Sequence, residues 1–190
     1  MELYLKEQAL FFATFDEPTT NFEFHSDIII PSLFKYKDKA FAYDKAIRIL
    51  ELELIIAERI LFSSNGNDIP AHYGHLISQL ERFYIQVKRY KDALEITENL
   101  LICTPEQMDI KAIVYYNRAC TYILMNNNKS ALKAAEKTIS ILKKYKLKDD
   151  QMYHNCRRII TDMKGNPKTR NAKMAFLKKE MQDYFAKTDE

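Results

Sequence analysis

Apolar residues along this chain recur every three or four positions and rarely alternate, so the pattern predicts helices rather than strands. Between Lys35 and Phe62, Ala46, Leu50, Leu54 and Ile55 fall at helical spacing, while Arg48, Glu51, Glu58 and Arg59 supply a polar face. Upstream, Glu2 to Phe15 reads as a helix loaded with Leu3, Leu5, Leu10, Phe11 and Phe12, broken by residues 16–21. Ile28, Ile29 and Ile30 stop at Pro31 and read as a helix start or a buried loop. Asn65-Gly66-Asn67-Asp68-Ile69-Pro70 is a helix stop followed by a proline suited to a new start. A regular series follows. Helices are predicted over 71–87 and 90–103. Thr104 and Pro105 then open one that ends at Asn126-Asn127-Asn128, and another runs from 129 to 145. Asp149 is the expected cap of a helix reaching Lys164, and Gly165-Asn166-Pro167 separates it from a last helix over 168–186. The prediction is of antiparallel helices joined by short turns.

Self-comparison of these helices gives a constant offset of 38 residues. Ala93 maps onto Ala131, Tyr84 onto Tyr122, Tyr115 onto Tyr153, and Gln79 onto Asn117 and then Asn155. Leu80, Tyr84, Tyr90, Ala93 and Pro105, then Tyr115, Ala119, Tyr122 and Ala131, resemble the tetratricopeptide repeat at its own spacings. Glu81, Thr97 and Arg118 depart from that family's pattern, and the period is about one helical turn longer than its usual 34 or so. The resemblance covers residues 71–145, with a degenerate half-unit after 149; residues 1–62 are helical and match poorly. It implies an all-α, right-handed array of antiparallel helix pairs within a single domain. In that array residues 71–164 would be repeats and 168–187 a capping helix, with Leu80, Tyr84, Ala93, Ala119, Tyr122 and Ala131 in the core. Leu124-Met125-Asn126-Asn127-Asn128-Lys129-Ser130-Ala131-Leu132 is similar, more distantly, to the effector domains of peptide-sensing regulators from low-GC Gram-positive bacteria (the PlcR and Rgg type). The helix-turn-helix domain with which such regulators begin has no counterpart in residues 1–70.

Composition narrows the chemistry. A chain of 190 residues with only 3 Gly and 5 Pro lacks the turn residues of a sandwich or barrel, and no Gly-rich phosphate loop is possible. No apolar run is long enough for a membrane span, and no signal peptide is legible. Three widely spaced cysteines, Cys103, Cys120 and Cys156, form neither a disulfide framework nor a zinc motif. They read as small buried hydrophobes in a reducing cytoplasm. His72 and His75 share a helix face but lack a third ligand, so no metal and no cofactor is expected. No nucleophile has an argued base, and the chain reads as a non-enzyme.

Two surfaces remain as candidates. Gln79, Asn117 and Asn155 occupy equivalent positions on successive first helices, which line the concave face of a tetratricopeptide array. Each amide can hold both the N–H and the C=O of an extended peptide. Arg82, Gln86, Tyr116 and Cys120 lie one helical turn away and complete the expected peptide groove. The plainer reading is that the amides tolerate an exposed face or bond between neighbouring helices. The second surface is electrostatic. Residues 143–179 hold 12 Lys/Arg and 3 Asp/Glu, net +9, against −6 for the rest of the chain. Arg157, Arg158, Lys164, Lys168, Arg170 and Lys173 could contact nucleic acid or another anion, dock on the chain's acidic remainder or a partner, or form a solvated face. The apolar side of the last helix (Met174, Phe176, Leu177, Met181, Tyr184, Phe185) would cap the array or make a homodimer.

Overall fold

The computed structural model describes residues 33–35, 38–63, 73–103, 108–147 and 150–186. All regular structure among them is helical: α1 (Lys39–Ser63), α2 (Tyr73–Gln86), α3 (Tyr90–Cys103), α4 (Met108–Leu124), α5 (Asn128–Lys144), α6 (Gln151–Lys164) and α7 (Pro167–Ala186). No helix among them is long and apolar enough to cross a membrane. The readings placed on residues 2–21, 28–31, 65–70 and 104–105, and on His72 and Asp149, lie outside the described residues. The chain divides into two compact units, Met1–Ile96 and Thr97–Glu190. The predicted run of repeats over 71–164 crosses this division.

In the first unit α1 packs on α2. The Asp38 side chain caps α1 by accepting from the Phe41 N–H at 3.0 Å, so a single helix fills the stretch read as one or two. Ala46, Leu50 and Leu54 are buried as the spacing requires, together with Leu76, Ile77 and Leu80 of α2. Ile55 is the exception at 50 % exposed: it sits one residue past Leu54, about 100° around the helix, and faces out. Phe34, Tyr43 and Phe83 form an aromatic triad with centroids 4.9–5.6 Å apart. Tyr84 donates to Glu51 Oε1 at 2.7 Å, and the Arg89 guanidinium stacks 4.4 Å from the Tyr84 ring centroid. Burial and Glu51 together push the Tyr84 phenol above the ordinary tyrosine range.

In the second unit α4 packs on α5 and α5 on α6, while α7 packs on both α4 and α6. Small residues permit this closeness: Ala112, Ala119, Ala131 and Ala135 have at most 1 % of their surface exposed. Ala112, Leu142 and Tyr153 form one packed cluster, bordered by Ile139, Ile141 and Met152. The cap of α6 is Asp150, whose Oδ1 accepts from the Met152 N–H at 2.7 Å, one residue later than the predicted Asp149. Asn166 caps α7 by accepting from the Lys168 N–H at 2.9 Å, with Pro167 as the first helical residue.

The 38-residue offset is present in the backbone itself. The α2–α3 turn pairs Lys88 N–H with Ile85 O and Arg89 N–H with Tyr84 O; the α4–α5 turn pairs Asn126 N–H with Ile123 O and Asn127 N–H with Tyr122 O. Every atom pair is displaced by 38 residues. Both are Schellman closures, with Lys88 at φ 62° and Asn126 at φ 59° supplying the left-handed residue. A third closes α5 at Lys146, φ 62°.

Candidate functional site

The residues expected to line one groove fall into separate settings. Gln79, Arg82 and Gln86 are half-buried on α2 in the first unit. Gln79 Nε2 lies 2.5 Å from His75 Nε2, one turn earlier on the same helix. Tyr116, Asn117, Cys120 and Asn155 come together in the second unit. They do not form an open surface: Tyr116 is 4 % exposed, Asn117 8 % and Cys120 not at all. The cause is α7, which lies against α4 and covers this face.

The contacts under α7 are specific. Tyr184 of α7 donates its hydroxyl to Asn117 Oδ1 at 3.4 Å, and its ring meets Tyr116 edge-on at 5.8 Å. Asn155 Nδ2 donates to the Tyr116 hydroxyl at 3.1 Å, while Asn155 Oδ1 accepts from Gln151 Nε2 at 3.0 Å. Both ends of the Asn155 amide are thus engaged within the unit. Burial pushes the Tyr116 phenol far above the ordinary tyrosine range, with Cys120 adding to the shift. Leu177, Met181 and Phe185 bury the remainder of the inner side of α7, whereas Phe176 stays 61 % exposed. Helical spacing places Tyr116 and Asn117 correctly on α4 but carries no information about a covering helix fifty residues further along the chain.

The basic surface is partly neutralised from within. Arg158 pairs with Glu180 at 2.7 Å, Lys164 with Glu136 at 2.7 Å and Lys173 with Asp162 at 2.8 Å. Half of the six candidate anion-binding residues therefore face carboxylates of the chain itself. Arg157 and Lys168 are exposed, and Arg170 is half-buried. Among the described residues no group of three or more His, Cys, Asp or Glu side chains is placed to hold a metal ion. Cys120 and Cys156 are both buried, and neither is in a disulfide.

One group of residues escapes the sequence reading. Arg118 departs from the repeat pattern, and the structure pairs it with Glu98 of α3. Burial opposes its charge, but hydrogen bonds to Glu98 and Tyr122 hold the guanidinium above its ordinary value. An arginine where the repeat has leucine was the one available signal.

Comparison with protein-family models, with curated proteins and with solved structures finds no match to this chain.

Proposed function

We propose that this protein is a non-catalytic peptide- or protein-binding module of the tetratricopeptide-like kind, regulatory and cytoplasmic, and that it takes up a partner segment on the face of α4 and α6 covered by α7. The observation that carries this reading is Tyr184. A helix of the chain itself lies on that face, with its hydroxyl on Asn117 and its ring against Tyr116. The face therefore holds a chain segment through one aromatic contact and one amide contact. The equivalent turns at Lys88 and Asn126, with Ala93 and Ala131 buried beside them, support a repeat-built scaffold. Such scaffolds work by presenting surface rather than by enclosing reactive groups.

An incoming segment competes with α7 for Tyr116, Asn117 and Asn155. With α7 displaced, the Asn117 Oδ1 released by Tyr184 becomes able to accept from a peptide N–H. The test is to pan a random peptide library against the full chain, then measure the recovered peptides on Asn117→Ala and Asn155→Ala. Each substitution is expected to weaken binding by roughly 0.5–1.5 kcal/mol. Peptides that bind both variants as tightly as the parent protein would refute the assignment to this face.

A further inference from the structure

Tyr115, Arg118 and Tyr122 share a stripe of α4 that faces away from Tyr116 and Cys120. With Ser130 and Lys133 of α5 and Glu98 of α3 they line an open cleft of about 250 Å³. That is slightly below the usual range for small-molecule pockets and suits a group of one or two amino-acid side chains. Its charge is unbalanced. Arg118 and Lys133 line it, Lys137 Nζ stands 5.9 Å from the Tyr115 ring centroid, and Glu98 is the single carboxylate among the lining residues.

The Arg118–Glu98 pair is also uneven in burial. Arg118 is 19 % exposed and is held by Tyr122 as well, whereas Glu98 is 54 % exposed. The guanidinium is the fixed half of the pair and the carboxylate the exchangeable half. A guanidinium fork accepts a carboxylate through two parallel hydrogen bonds, and it has no preference for one from its own chain. Flanking phenol rings offer faces on which a flat side chain can lie.

The geometry points to this cleft as a binding site for the acidic end of a peptide. A carboxylate replaces Glu98 on Arg118, an adjacent aromatic side chain rests against Tyr115 or Tyr122, and Lys133 answers a second negative charge. The site does not depend on the face beneath α7, so either assignment can fail without the other.

The test titrates the full-length protein with acetyl-Glu-Phe, which carries two carboxylates, and follows the Arg118 Nε–H and the Ser130 and Lys133 amides by NMR. Saturable shifts at these three positions are expected, with no response to the neutral diamide acetyl-Gln-Phe-NH2. Glu98→Gln, which removes the internal competitor, should tighten binding about two- to fivefold. Arg118→Lys keeps the charge and loses the fork, and should weaken binding about tenfold or more. Lys133→Gln, at an exposed position, checks the second charge without risk to folding and should weaken binding about two- to fivefold. Absence of saturable shifts, equal binding of the diamide, or no change in affinity in Glu98→Gln would overturn the proposal. Inorganic phosphate shifting the same signals with equal affinity would overturn the assignment to a carboxylate.

Discussion

Cys156 has no exposed surface, and that burial pushes its thiol up to about 12 from an ordinary 9.0, against the opposing hydrogen bond to Thr138. The folded state therefore holds this proton more tightly than the unfolded chain does. Its contribution to stability is complete below pH 9 and is lost as pH rises from there towards 12. Melting temperature should fall across that window, and less steeply in Cys156→Ala, as a thermal series at several pH values would show. Tyr84 and Tyr116 are shifted upward too and act in the same sense, so the difference between the two slopes isolates the cysteine. At Ala131, fully buried between packed helices, Ala131→Trp should overpack the site and cost about 1–3 kcal/mol in denaturant unfolding. Residues of this kind were legible in the sequence: of the six expected in the core, Leu80, Tyr84, Ala93, Ala119 and Ala131 are buried, while Tyr122 is only half-buried because it borders an open cleft. Asn117 was not. Periodicity puts a polar amide on the accessible side of its helix, but Tyr184, 67 residues away, encloses it. Asn117→Ala should therefore also lower stability, by roughly 0.5–1.5 kcal/mol, because the buried amide is lost and the hydroxyl of the partly exposed Tyr184 loses its acceptor.

At the scale of the element, the helix ends combine strong local signals with silent ones. Asn126 in the left-handed region and the Gly165-Asn166-Pro167 break follow from residue chemistry alone. Lys88 and Lys146 adopt the same left-handed conformation with no residue that favours it. Their turns are imposed by the paired Schellman hydrogen bonds and by the helices packed on either side. A lysine there carries a steric cost that glycine does not. Lys88→Gly and Lys146→Gly should each raise stability by about 0.5–1 kcal/mol, visible as a higher urea midpoint with unchanged slope. The same substitution at an α-helical position, such as Lys133, should lower stability by about 1 kcal/mol. The shift from Asp149 to Asp150 at the start of α6 is of another kind: two adjacent aspartates are equivalent as caps, and only the packed register of the helix chooses between them.

At the scale of the molecule, two compact units share a chain whose later helices repeat the turn geometry of earlier ones. The all-helical architecture was legible in the spacing of apolar residues and the scarcity of glycine and proline. The role of α7 was only half legible. Its amphipathic pattern announces a buried side, and Leu177, Met181 and Phe185 fill it, but only packing determines that this side covers α4 and α6. If α7 and a partner segment compete for one face, loosening α7 must favour the partner. Tyr184→Ala removes the aromatic contact and the hydrogen bond to Asn117, together about 1 kcal/mol of hold. It should tighten binding of a panned peptide up to about fivefold in calorimetric titration, while lowering the melting temperature.

Hydrogen exchange on the full-length protein, with and without a saturating peptide from such a panning, tests this competition most directly. Amides of α7 between Leu177 and Phe185 are expected to exchange faster when the peptide is bound, while those around Tyr116 to Cys120 on α4 stay protected. Peptide binding that leaves exchange in α7 as slow as before, or slows it further, would contradict the account.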